Sequence, residues 1–305
     1  RYLWYTTPAH TTCFLNKICS KERVHMSSIR FINDTKFEYN KDVMNGLQSY
    51  NRSQTGYREK DYRDFYVFED GILVGACHTK QASDWCKING IYYKDIDVLK
   101  ALLNDVRKFY RGNVEGIQFD TVQDQRSLDF QSIGFGVHGE LNDMPIGNTN
   151  TFLVDTELEH LETSGDYHLN SSSEPIQPHD KVLKSEMKKY RKSLDFSTEK
   201  IDLQFVVLDG DKFVGGIYGH FQFEYLFINV LFVDKKYRGN RLASKLMHMM
   251  ETEAVKQGVT NIYLTTFKFQ ALGFYKKRGY EVVMTIEDFP KGFEEYTLYR
   301  QMKKV

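Results

Sequence analysis

Apolar and polar positions alternate clearly enough to predict most elements of the first half of the chain. Tyr62 to His78 alternates as two strands joined at Asp70-Gly71, a dipeptide suited to a tight hairpin, and Trp85 to Tyr93 continues as a third strand. From Asp95 the period changes. Ile96, Leu99, Leu102, Leu103, Val106 and Phe109 fall on one face of a helix whose cap is Asp95. Val114 to Val122 then reads as a strand, residues 124–132 as a short helix, and Phe135 to Leu141 and Thr151 to Asp155 as strands. Ahead of these, a helix is expected over Asn40 to Asn51. Residues 1–36 stay open: RYLWYTT fits a strand, and Pro8 to Cys19 fits a short helix or a loop. Between Thr156 and Pro178 the chain turns polar, with Ser171 to Ser173, Pro175 and Pro178, which reads as a linker.

After that stretch the same order of elements returns. A helix from His179 to Leu194 leads to a second hairpin at Asp209-Gly210. Phe227 to Glu251 then reads as a hydrophobic strand, a basic turn with Arg238 and Gly239, and a helix with Leu242, Leu246, Met249 and Met250 inward. Asn261 to Thr266 is a strand, Phe269 to Arg278 a short helix stopped by Gly279, and Glu281 to Ile286 and Glu295 to Gln301 close the chain. The repeat holds register. Val74, Gly75, Ile88 and Asn89 stand 140 positions before Val214, Gly215, Ile228 and Asn229. Thr121, Gln125, Gly134, Val137, Asp143, Pro145, Gly147 and Leu153 stand 145 positions before Thr266, Gln270, Gly279, Val282, Asp288, Pro290, Gly292 and Leu298. The five extra residues enter where the second unit carries YRGNRLA and the first has only Lys94-Asp95-Ile96.

Composition narrows the partner. Lysine plus arginine and aspartate plus glutamate both number 41, a balance that favours neither nucleic acid nor a membrane surface. No apolar run approaches the roughly 20 residues of a membrane span, and no secretory signal is evident, so a cytoplasmic location is expected. Cys13, Cys19, Cys77 and Cys86 show no metal or CxxC spacing and read as thiols, and no metal is expected. The helix with Lys184, Lys188, Lys189, Arg191 and Lys192 either attracts an acidic substrate or is a solvated face.

The candidate chemistry gathers at the basic turn. A strand-to-helix turn aims unpaired backbone N–H groups and the positive end of a helix dipole at one spot, a ready anion site. Arg238-Gly239-Asn240-Arg241-Leu242-Ala243 after a strand, followed by Ala271-Leu272-Gly273-Phe274-Tyr275-Lys276-Lys277-Arg278-Gly279-Tyr280, resembles the two motifs of the GNAT superfamily of acetyl-CoA-dependent N-acetyltransferases. Arg241 departs from the glycine usual in that family.

The resemblance spans about Gln204 to Met302. It implies an α/β (α+β) fold of two tandem GNAT-like domains, each a mixed, mostly antiparallel sheet flanked by helices. Residues 1–155 would be a degenerate domain without the pyrophosphate loop, 156–178 a linker, and 179–305 the catalytic domain. Acetyl-CoA would be the cosubstrate, and a primary amine of a small molecule or peptide the acceptor, in a monomer or homodimer. Leu231, Phe232 and Val233 would meet the pantetheine arm. Arg238, Gly239, Asn240, Arg241, Leu242, Ala243 and Ser244 would hold the pyrophosphate. Tyr275 would serve the departing thiolate, Glu224 the amine as base, and Gln270 the pantetheine. His220 and Asn229 are further candidates beside Glu224, although the twin Asn89 favours a β-bulge for Asn229. Phe130 stands where Tyr275 has its hydroxyl, so the first unit is expected to be inactive. A non-catalytic acyl-CoA sensor, or another acyl transfer on the same fold, is the alternative.

Overall fold

The computed structural model describes residues 28–56, 61–142, 147–194, 199–222 and 225–303. The expectations for RYLWYTT and for residues 8–19, together with Cys13, Cys19, Asp143, Pro145 and Glu224, lie outside them. In chain order the elements are β1 (Ile29–Asn33), α1 (Asn40–Thr55), β2 (Asp61–Glu69), β3 (Ile72–Ala82), β4 (Trp85–Tyr93), α2 (Ile96–Tyr110), β5 (Gly116–Val122), α3 (Gln125–Ser132), β6 (Gly136–Asn142) and β7 (Thr149–Asp155). They continue as β8 (His168–Ser172), α4 (His179–Ser193), β9 (Ile201–Asp209), β10 (Lys212–Gln222), β11 (Tyr225–Val233), α5 (Leu242–Lys256), β12 (Asn261–Phe267), α6 (Leu272–Lys277), β13 (Glu281–Ile286) and β14 (Glu295–Gln301). Among the described residues these strands form two seven-stranded, mostly antiparallel sheets, β8-β2-β3-β4-β5-β7-β6 and β1-β9-β10-β11-β12-β14-β13.

The two sheets repeat one another down to their irregularities. Each has an extra residue at three matching places: Val74 and Val214, Asn89 and Asn229, His138 and Val283. A bulge costs ladder bonds and bends its strand, so three shared bulges mark one folding plan used twice. Gly134 (φ 101°) and Gly279 (φ 84°) match as well, each ending a short helix in a left-handed conformation that glycine adopts without a Cβ clash.

The expected boundaries at 155 and 178 do not describe these sheets. β1 pairs antiparallel with β9, and α1 packs on β10 and β11, so residues 29–55 complete the second sheet. β8 pairs antiparallel with β2, and α4 packs on β3 and β4, so residues 168–193 complete the first. Each unit thus takes its first strand and helix from the segment that precedes the other. The stretch read as a linker holds an edge strand, HLNSS, whose polar, largely exposed side chains suit a sheet edge and hide the strand from hydrophobic periodicity.

Side-chain size fits each helix to its own sheet. A Cβ on Gly46 of α1 would stand 2.5 Å from the Phe232 ring, and a Cβ on Gly90 of β4 would stand 2.4 Å from the Met187 sulfur of α4. Between the sheets lies a further core, with Trp85, Leu141, Phe152 and Val154 from one and Tyr225, Tyr263, Met284 and Ile286 from the other. Gly139 lets β6 approach β13, since a Cβ there would lie 2.5 Å from the Val283 carbonyl.

Candidate active site

β11 and β12 pair in parallel only from Tyr225 to Ile228 against Asn261 to Leu264, and beyond Ile228 they part. The bulge at Asn229 turns β11 at that point. A cleft of about 260 Å³ opens between the diverging strands. Val230, Leu231, Phe232 and Val233 form one wall, and Thr265, Thr266, Ala271 and Tyr275 the other. Leu47 and Tyr50 of α1 complete it. Neither was anticipated from the sequence, because α1 arrives from the far end of the chain.

The basic turn follows at one end of this cleft. Asp234 Oδ1 accepts the Lys236 N–H (2.9 Å) and starts a short 3-10 turn over Lys235–Tyr237. Arg238 folds back, its Nε donating to the Val233 carbonyl (2.9 Å) and its guanidinium lying 4.9 Å from the Tyr50 ring centre. Asn240 Nδ2 donates to the Tyr237 carbonyl (3.1 Å). Gly239 (φ 85°) and Arg241 (φ 59°) are both left-handed, which explains why glycine suits the position that Arg241 holds. The Arg241 side chain is exposed. The first α-helical bond runs from Lys245 N–H to the Arg241 carbonyl (3.0 Å), so the amides of Leu242, Ala243 and Ser244 have no partner within α5. The loop and helix start fit a phosphate group on that account: donors without acceptors, and no atom within 4 Å of a Cβ placed on Gly239.

Tyr275 lines the cleft with 6% of its surface exposed, its ring against Phe274 and Tyr280. Burial pushes its phenol up, outweighing the pull of Arg278, and keeps it protonated at neutral pH. Among the described residues no group hydrogen-bonds to that hydroxyl. Gln270 also lines the cleft, but its amide is held by the protein. Thr266 Oγ1 and Phe267 N–H both donate to its Oε1 (2.9 Å each), and its Nε2 donates to Asn51 Oδ1 of α1 (2.7 Å). Gln270 therefore straps α1 to the end of β12. His220 Nδ1 and Asn229 Oδ1 are 2.8 Å apart, with the imidazole stacked on Phe227. Burial holds His220 below its usual range, so it is neutral at pH 7.

The first unit shows what closes the same geometry. Its helix α2 carries its own anion, because the Asp95 carboxylate accepts the Asp97 and Val98 N–H groups (3.1 and 3.0 Å). Where the second unit has Ala271, the first has Arg126, whose Nη1 donates to the Ile91 carbonyl (3.4 Å), the counterpart of Leu231. Phe130 replaces Tyr275 and stacks on Phe119. Cys77 and Cys86 are buried free thiols in this unit, pushed up by desolvation. Among the described residues no cluster of three or more His, Cys, Asp or Glu is placed to hold a metal, and no helix is long and apolar enough to cross a membrane.

Residues 169–280 match the family model described as Acetyltransferase (GNAT) family. The chain is 35% identical over 89 residues to blasticidin-S acetyltransferase of Streptomyces morookaense, covering 29% of this chain and 65% of that protein. It is 29% identical over 114 residues to an acetyltransferase of Agrobacterium fabrum, covering 37% of this chain and 83% of that one. Among solved structures, an acetyltransferase from Bacillus cereus is 29% identical, covering 42% of this chain and 95% of that chain at a TM-score of 0.40. The matched span begins at β8 and α4 and ends just after Tyr275, so it includes both motifs. Residues 169–280 are therefore similar to the GNAT family of acetyltransferases, and the likeness takes in both motifs.

Proposed function

We propose that this protein is an N-acetyltransferase that moves the acetyl group of acetyl-CoA to a primary amine by direct attack in a ternary complex. The observation that carries this reading is the splayed cleft with unpartnered amides at one end and a buried, protonated Tyr275 in its wall. The thioester supplies the acetyl group. The backbone of Leu231, Phe232 and Val233 offers strand pairing to an extended arm. Gly239 to Ser244, with Arg238, Asn240 and Arg241 around them, offer N–H groups to a pyrophosphate.

An amide at Val230 or Leu231 stabilises the negative oxygen that develops as the amine adds to the carbonyl carbon. The carbon–sulfur bond then breaks, and the Tyr275 hydroxyl donates to the departing sulfur. The proton that the amine loses passes to a base on the far side, where His220 and Asn229 meet at the bulge, with Glu224 as the alternative base. The relatives named as acetyltransferases, one of them as a blasticidin-S acetyltransferase, support a small-molecule amine as acceptor, with a peptide amine as the alternative. The first unit, with its own Asp95 anion and Arg126 on the strand, is a non-catalytic partner that shares a core with the second.

The test follows thiol release from acetyl-CoA with a panel of amines. Tyr275→Phe is expected to lower turnover about 100-fold while coenzyme A affinity stays within a few fold. Tight binding without turnover on any amine would replace this reading with a cofactor sensor.

A further inference from the structure

The basic face of α4 belongs to a second cleft. In the first unit a cavity of about 210 Å³ lies between β4 and β5 beneath α4, at the position of the cleft described above. Asn89, Asp120, Arg126, Asn150, Tyr190 and Arg191 bring polar groups to it. Met187 and Arg191 also border a neighbouring hollow of about 430 Å³ with His78, Lys184 and Lys188.

The charges here are unbalanced. Asp120 is paired with Lys87 (2.5 Å) and Lys184 with Asp180 (2.7 Å). The side chains of Arg126, Arg191 and Lys188 form no ion pair among the described residues, and the nearby Asp124 carboxylate is taken by the Arg126 backbone N–H (3.0 Å) and the Tyr190 hydroxyl. Arg126 lays one face of its guanidinium 3.5 Å from the Tyr190 ring centre, and Tyr190 is fixed by donating to Asp124 Oδ2 (2.5 Å). A guanidinium has five N–H donors, and the one described acceptor for Arg126 is the Ile91 carbonyl at 3.4 Å. The remaining donors form the planar fork that matches a carboxylate. Two cations facing one cleft repel each other, and an anion between them removes that cost. Phe119, Ile91 and Met187 supply apolar surface for a short carbon skeleton.

We infer that the first unit's cleft is a binding site for a small organic carboxylate held by Arg126 and Arg191. Arg126, by donating to the Ile91 carbonyl, competes with a pantetheine arm for that acceptor. The site stands independently of the reaction proposed for the second unit.

Calorimetry on the full chain with succinate and, separately, inorganic phosphate tests this. Succinate is expected to bind at one saturable site and phosphate more weakly. Arg126→Ala and Arg191→Ala should each weaken succinate about tenfold or more. Arg191→Lys should recover part of the loss, and Arg241→Ala in the second unit's loop should change nothing. Absence of a saturable heat overturns the site, as does unchanged affinity in Arg191→Ala. Loss in Arg241→Ala moves the binding to the other unit, and phosphate binding as tight as succinate overturns the carboxylate assignment. Should Arg126→Ala prove unfolded by circular dichroism, Arg191→Ala and its lysine rescue decide the outcome.

Discussion

Gln270 offers the sharpest test of how the exchanged helix is held. Its side chain joins three partners at 2.7–2.9 Å: Thr266 and Phe267 on the second sheet and Asn51 on α1. Gln270→Leu keeps the volume and removes the bonds. The half-buried Gln270–Asn51 bond is worth about 1 kcal/mol net, and stranding the Phe267 N–H adds about 1–3 kcal/mol, so a total loss of about 2–4 kcal/mol is expected. Asn51, 8% exposed, provides the control. If Gln270 acts as a strap, Asn51→Ala also destabilises, by about 1–2 kcal/mol, and the double variant falls short of additivity by about 1 kcal/mol. Urea denaturation of the two single variants and the double variant gives the cycle. Coenzyme A affinity should fall in both single variants, because Leu47 and Tyr50 on the same helix wall the cleft. Loss of cofactor affinity in Gln270→Leu with neither stability nor affinity changed in Asn51→Ala would refute the strap, since Gln270 would then act on the ligand directly.

Three further outcomes follow from single residues. Burial at the sheet interface pushes the Glu295 carboxyl up to about 7, against the pull of Lys87 and Lys80. A carboxyl raised on folding binds more protons in the folded state, so its contribution is full below about 4.5, its ordinary value, and is lost as pH rises through about 7. Glu295→Gln should therefore flatten the decline in Tm across that window and raise Tm above it; parallel melting profiles would contradict this. Glu251, 3% exposed, faces Arg278 (2.5 Å), Arg300 (3.1 Å) and the Tyr280 hydroxyl (3.1 Å). Glu251→Ala leaves two cations beside a desolvated gap and should cost about 3–5 kcal/mol in urea denaturation; a loss within error would show the arginines rehydrate freely. Arg241→Gly relieves the left-handed φ and should add about 1 kcal/mol of stability, and a destabilised variant would mean the arginine side chain is held by contacts that outweigh the strain.

The repeated units were legible because their signals are local. Period-2 alternation, the Asp-Gly hairpins and the Asp95 cap each depend on a few neighbouring residues, and the structure places β2, β3, β4 and α2 where those residues put them. The exchange of first elements was not legible. Nothing within Ile29–Asn33 or His168–Ser172 says which sheet edge each strand joins, and the choice for α1 and α4 rests on how Gly46 meets Phe232 and Met187 meets Gly90. Leu47, Tyr50 and Asn51 carry no local sign of a role at the cleft, since their relation to it exists only after the exchange. Arg126 is different. It stands 145 positions before Ala271 in a register already established, and comparing those two side chains would have shown a long cation where the other unit has a methyl group.

The two clefts also separate what the backbone does from what the side chains do. The Asn bulge is present in both, and in both the fourth and fifth strands of the repeat pair for only four residues before parting, so the opening belongs to the shared plan. The units diverge in how the N–H groups at the following helix find an acceptor. In the first, Asp95 supplies it from within the chain and the five-residue insertion is absent; in the second, Arg241 carries no capping side-chain acceptor and the amides of Leu242 to Ser244 remain available. Removing Asp95 would therefore cost the first unit its cap, about 1 kcal/mol, without giving it the loop that turns those amides toward a phosphate. In the proposed reading, coenzyme A binding at the second helix depends on both conditions together, and the first unit satisfies neither.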